Sequence, residues 1–170
     1  NDKNDNKFKD AYFNRFSNIW HHGDFAEIKK TRGFIIHGRS DTTLNPGGVR
    51  LGTAEIYSEV EKFREIKESI VVGQSWDNDV RIVLFIVMNA KFYLTEDLLK
   101  KIKIQIKKNA SPRHVPSKVI VVKDIPRTKS GKIVELAVKN TIEGNNIKNK
   151  EALANPTALE QFKNLKELNI

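Results

Sequence analysis

Cysteine is absent from the 170 residues, which removes disulfide frameworks, thiolate zinc sites and a cysteine nucleophile together. Long apolar runs are absent too. The longest, Ile82-Val83-Leu84-Phe85-Ile86-Val87-Met88, is strand length, against the roughly 20 residues that a spanning helix needs. No membrane span is expected. The opening run Asn1-Asp2-Lys3-Asn4-Asp5-Asn6-Lys7 has no apolar core, so it does not read as a secretory signal, and the cytoplasm is the expected compartment. Because residue 1 is not methionine, the chain is expected to start inside a longer protein. The histidines His21, His22, His37 and His114 lack ligand spacing and cysteine partners, so no metal site is expected and they read as surface or packing residues. Aromatic residues make up only 8%, and Trp20 and Trp76 read as packing.

What is present suits one globular core: 39% apolar and 30% charged residues favour a folded, soluble chain over disorder. Thirty Lys and Arg against 21 Asp and Glu leave a net charge of +9, which suits partners carrying phosphate. A basic nucleic-acid-binding module is the rival class, but it calls for lysines clustered among aromatics, and here the lysines are spread. Lys100, Lys101, Lys103, Lys107 and Lys108 read as a solvated helix face.

Phe25-Ala26-Glu27-Ile28 and Phe34-Ile35-Ile36 flank the turn Thr31-Arg32-Gly33 as a β-hairpin. Gly38 to Gly52 reads as a glycine-spaced linker. Thr53 is a candidate cap for a helix with Ile56, Val60 and Phe63 on one face. Strands follow at Ser69–Gly73 and Val80–Asn89, joined by a turn at Asp77-Asn78. From Thr95 a helix start competes with the strand-like alternation Ile102-Lys103-Ile104-Gln105-Ile106-Lys107, and helix is chosen. A loop between Pro112 and Pro116, a strand at Val119–Val122 and a helix at Ile133–Ile142 complete the order. This predicts a small α/β (α+β) fold, a mixed three-stranded sheet flanked by helices and preceded by a β-hairpin. Asn145 to Lys150 marks a boundary, and Ala158, Leu159, Phe162 and Leu165 suggest a short terminal helix.

Two stretches bear chemistry. Gly38-Arg39-Ser40-Asp41 leads into Gly47-Gly48-Val49-Arg50-Leu51-Gly52-Thr53-Ala54-Glu55-Ile56, where glycines let backbone N–H groups approach a ligand and arginines flank the loop. Arg127-Thr128-Lys129-Ser130-Gly131-Lys132 presents two lysines beside a glycine, and a flexible ammonium there can meet a carboxylate or phosphate oxygen as charge develops. Either alone reads as a solvated turn. Together, in this order, they resemble the signature segments of the adenylate-forming superfamily of acyl-CoA synthetases, luciferases and peptide-synthetase adenylation domains. His22-Gly23-Asp24 resembles its Thr-Gly-Asp segment, with histidine in place of threonine. Asn45-Pro46-Gly47-Gly48-Val49-Arg50, Ser111-Pro112-Arg113-His114-Val115-Pro116 and the tail Asn149 to Pro156 are similar to the acetoacetyl-CoA synthetase branch.

The resemblance implies an acid–CoA ligase using ATP, Mg2+ held mainly by an N-terminal domain outside these residues, CoA as co-substrate and a short 3-oxo acid. It implies a division into the end of that N-terminal domain (1–38), a hinge (39–42), a mobile lid (43–144) and a C-terminal extension (145–170). Lys132 would be the catalytic lysine of adenylation. Asp24, Arg39 and Arg50 would bind ATP or AMP, Asp41 would be the hinge, and Gly48 and Arg113 would serve CoA. Own-chain partners would be the N-terminal domain, with no nucleic acid and no membrane. By the same resemblance, a lysine acetyltransferase and deacetylase would act on Lys132.

Overall fold

A computed structural model describes residues 2–147 and 150–169. Lys148 and Asn149, which belong to the expected boundary run, and Asn1 lie outside them. The chain opens with α1 (Asn6–Tyr12), a seven-residue helix with no buried residue, which the sequence reading left unplaced. Trp20 does pack, stacking on Tyr12 with ring centroids 4.2 Å apart. Strands β1 (Asp24–Ile28) and β2 (Phe34–Arg39) then form the expected antiparallel hairpin, one residue longer at β1 and three longer at β2. Ile28, Phe34, Ile35 and Ile36 of this hairpin are exposed.

The second sheet is the structural centre. Strands β3 (Ile66–Trp76) and β4 (Asp79–Met88) pair antiparallel, and β5 (Lys118–Val121) joins β4 in parallel, giving the order β3-β4-β5. The predicted mixed three-stranded sheet is therefore present. Because alternate residues face opposite sides of a strand, the continuous apolar runs of β3 and β4 feed two cores. Val71, Ile82, Leu84 and Ile86 pack on α2 (Thr53–Val60) and α3 (Glu96–Asn109). Ile70, Val72, Val83 and Phe85 pack on α4 (Glu135–Ile142) and on residues 153–168.

The conflict of signals at 102–107 resolves as helix. Leu98, Ile102 and Ile106 recur every fourth residue and are buried, while Ile104, the residue that made the run look like a strand, is 64% exposed. Thr95 caps α3 by accepting a hydrogen bond from the Leu98 N–H at 3.2 Å. Thr95→Ala is expected to cost about 1 kcal/mol of stability, read as a lower urea midpoint at unchanged slope. The expected solvated face holds at Lys100, Lys101, Lys107 and Lys108, all exposed.

Two local expectations are corrected. The cap of α2 is Gly52, in an extended conformation, and Thr53 is the first helical residue. The terminal helix is instead two 3-10 segments, Pro156–Phe162 and Lys166–Leu168. The extended backbone of Lys163 ends the first of them. Their Leu159, Phe162 and Leu168 are buried in the core, with Phe162 edge-on to Phe85 at 4.9 Å.

Candidate functional site

The hairpin register sets Asp24 opposite Arg39, and their side chains approach to 3.6 Å. Asp24 Oδ2 also lies 2.6 Å from His22 Nδ1. Arg39 donates to the His22 carbonyl at 2.8 Å and reaches Asp41 at 3.4 Å. Ser40, between them, donates through both its N–H and its hydroxyl to the Gly23 carbonyl at 2.8 and 2.9 Å. The strand end and the segment after it are thus tied to the His22-Gly23-Asp24 turn.

Lys132 arrives from the other side of the chain. Residues 128–132 form a tight turn: Thr128 N–H donates to the Lys132 carbonyl at 2.9 Å, the Lys132 N–H donates to Thr128 Oγ1 at 3.1 Å, and Arg127 donates to the Gly131 carbonyl at 2.8 Å. Gly131 takes φ +82°, a conformation that side-chain-bearing residues rarely adopt. The turn leaves Lys132 exposed, and among the described residues its ammonium has no ion pair. It lines a cleft of about 530 Å3 together with His22, Gly23, Arg39 and Asp41. Arg15, which the sequence reading passed over, lines it too. Three cations against one carboxylate make this cleft suited to an anion.

The remaining expected site residues lie elsewhere. Arg50 is exposed next to Leu51, whose main chain bridges Leu44, and does not line the Lys132 cleft. Gly48 and Arg113 belong to a second region. Gly47 and Gly48 take φ +57° and +76°, and the Gly47 N–H is gripped by both oxygens of Asp79 at 2.9 and 3.0 Å. N–H groups of Val80 and Gly47 hold the Asp79 carboxyl below its usual range. A Cβ on Gly48 would meet nothing within 4 Å beyond its chain neighbours. Arg113 sits beside Gly47 and lines a cleft of about 420 Å3 with Pro46, Trp76, Asp79 and Arg81. Trp76 was expected as packing. It is instead 38% exposed with the Arg81 guanidinium stacked 3.7 Å over its ring, because it ends β3 at the turn rather than inside the sheet.

The histidine expectation also changes. His37 Nδ1 lies 2.9 Å from Glu55 Oε1, and buried His114 contacts the other Glu55 oxygen through Nε2. Among the described residues, no group of three or more His, Cys, Asp or Glu could hold a metal ion. No described helix is long and apolar enough to cross a membrane.

The AMP-binding enzyme C-terminal domain profile matches residues 55–132, the stretch running from Glu55 to the turn lysine. An acetoacetyl-coenzyme A synthetase from Rhizobium meliloti (strain 1021) is 58% identical over 168 residues, 99% of this chain and 26% of the relative. Residues 55–132 belong to the AMP-binding enzyme C-terminal domain family. An acetoacetyl-CoA synthetase of Xenopus tropicalis is 46% identical over 170 residues, 99% of this chain and 25% of its own length. The solved acetoacetyl-CoA synthetase from Streptomyces lividans superposes with TM-score 0.88 at 36% identity, covering 100% of this chain and 26% of that one. This C-terminal domain and its flanks therefore span about a quarter of the length of the relatives they match.

Proposed function

We propose that the chain is the C-terminal part of an acid–CoA ligase that activates acetoacetate. The observation that carries this reading is the meeting of Lys132 with Arg39 and Asp41 in one cation-rich cleft. The 58% identity across nearly the whole chain to an acetoacetyl-coenzyme A synthetase favours acetoacetate over other short acids.

In the first half-reaction an acid carboxylate oxygen attacks the α-phosphorus of ATP, and pyrophosphate leaves with the electrons of the broken P–O bond. Negative charge builds on oxygens around the phosphorus, and the Lys132 ammonium stabilises it most when the cleft is closed and dry. Asp24 accepts from the ribose hydroxyls, displacing its present contact with His22, and Arg39 stays beside it. In the second half-reaction the CoA sulfur attacks the acyl carbon and AMP leaves. Lys132 must then withdraw, so the lid turns about Asp41 and brings Gly48 and Arg113 to CoA. Trp76 and Arg113, on either side of the second cleft, suit a stacked base and a phosphate. Arg50 reaches the ATP phosphates only together with the rest of the enzyme. The exposed hairpin face of Ile28, Phe34 and Ile36 is covered by the N-terminal domain, which also supplies the acid pocket and the Mg2+ ligands. The reaction takes place in the cytoplasm, and acetylation of the exposed Lys132 would cancel its charge.

The test is acid-dependent ATP–pyrophosphate exchange by the full-length protein. Exchange with acetoacetate well above that with acetate or propionate supports the reading, whereas preference for either of the latter moves it to another short-chain ligase. Arg113→Ala is expected to raise KM for CoA about tenfold, the equivalent of ~1.4 kcal/mol, checked by steady-state kinetics with varied CoA.

A further inference from the structure

The strand before Asp41 and the helix after it are in close contact. A Cβ on Gly52, the cap of α2, would lie 2.4 Å from the His37 carbonyl oxygen and 2.6 Å from the His37 Cβ. The Gly52 backbone sits at φ −82°, which any residue adopts, so it is the nearness of β2 alone that demands glycine here. Next to this contact, Glu55 of α2 binds a histidine from each side of Asp41. His37, before it, lies 2.9 Å from Oε1, and His114, after it, touches Oε2. His114 is anchored in turn by Ser111, whose hydroxyl is 2.8 Å from Nδ1. The outer nitrogen of His37 faces Glu27 of β1 at 3.4 Å. None of His37, Gly52, Glu55 and His114 lines the Lys132 cleft, so these contacts have no part in holding a ligand there.

We propose that His37, Gly52 and Glu55 form a docking latch across the hinge, which holds the lid where Lys132 reaches its cleft and has to be undone before the CoA step. The proposal rests on the ligase reading above. Its physical basis is topological. His37 moves with the hairpin while Gly52, Glu55 and His114 move with the lid, so the contact exists over one range of Asp41 dihedrals and is lost outside it. A contact made in one of two orientations shifts the population towards that orientation by its own free energy. His37, Gly52 and Glu55 are thus positioning residues for adenylation, acting through Lys132. The Gly52 contact involves main chain, which cannot swing aside as a flexible side chain would, so a methyl there works against this orientation only.

The two half-reactions separate this role from a general structural one. In the full-length enzyme, Gly52→Ala is expected to lower acid-dependent ATP–pyrophosphate exchange about tenfold, within the range usual for coupling between two states. CoA-dependent consumption of supplied acetoacetyl-adenylate is expected to stay level or rise. His37→Ala, which takes away a ring contact with Phe25 of the hairpin but no residue of either core, is expected to shift the same ratio in the same direction, and His37→Gln, which keeps a donor to Glu55, to restore most of it. If Gly52→Ala does not fold, the two His37 variants decide alone. Equal loss in both half-reactions, or no change in either, overturns the latch. Wild-type enzyme without acid-dependent exchange overturns the ligase reading and the latch with it, whereas normal wild-type exchange with unaffected variants removes the latch alone.

Discussion

Lys132→Ala in the full-length protein is expected to lower acid-dependent ATP–pyrophosphate exchange on the order of 10^2- to 10^3-fold, the range seen when one preorganised transition-state donor is removed. CoA-dependent turnover of supplied acetoacetyl-adenylate is expected to change little. The asymmetry follows from the geometry. Lys132 is exposed at the tip of a turn held by the Thr128 and Arg127 hydrogen bonds, so shortening its side chain disturbs no packing. It shares its cleft with Arg39 and Asp41 and none of its lining with the Arg113 cleft. On the proposed ligase reading, losing one ammonium removes charge stabilisation from the step in which phosphorus is attacked. Comparable loss in both half-reactions, measured by quenched-flow with radiolabelled ATP and with supplied adenylate, would contradict this role.

The second large effect concerns the hinge. Asp41→Pro is expected to slow one half-reaction about 100-fold or more while leaving the other within a few-fold, because proline fixes φ near −65° and restricts Ser40 before it. Ser40 is already tied to Gly23 by two hydrogen bonds, and Thr42 N–H donates to the Arg39 carbonyl at 3.3 Å, so residue 41 lies between two anchored neighbours. Among the described residues, its own side chain bonds only to Arg39, at 3.4 Å, an exposed pair of small energetic weight. The dihedral, rather than the carboxylate, should therefore dominate the outcome. Single-turnover assays of each half-reaction measure it. Full activity in both would remove Asp41 as the pivot.

Local signals announced most of the fold. The hairpin, both long strands, α3 and the parallel β5 were legible because each carried its own periodicity or apolar run. Even the misleading alternation at 102–107 yielded to the helix start at Thr95, and the burial of Leu98, Ile102 and Ile106 agrees with it. What escaped was short or long-range. Helix α1 buries nothing, and its one apolar pair, Phe8 and Tyr12, is too short a repeat to announce a helix. The terminal segment carries the helical spacing of Leu159 and Phe162, yet it turns as 3-10 helix rather than α-helix.

The site divides along the same line. The segments carrying Lys132, Arg39 and Asp41 stood out because each is contiguous and specific, and the structure brings these three residues to one cleft. Glu55 and its histidines were not, since the partners stand 18 and 59 positions away and no spacing rule joins such residues. Trp76 was misjudged as packing because its placement at the end of β3 beside Arg81 is set by the β3–β4 register, which the sequence does not state. Tyr57 was passed over similarly. Its hydroxyl donates to Glu135 at the start of α4 and accepts the Val71 N–H, and burial, with Glu135 beside it, pushes its pKa well above the ordinary phenol value. It stays a neutral donor that pins α2 to the sheet.

Chemical rescue at the turn asks most directly whether a positive charge at this one place drives adenylation. This chain has no cysteine of its own, so Lys132→Cys introduces a thiol that 2-bromoethylamine converts to a side chain of nearly lysine length ending in an ammonium. Exchange lost on substitution and recovered on aminoethylation, but not on alkylation with iodoacetamide, is the expected result. Exchange that survives the substitution, or that no cationic adduct restores, would contradict the account.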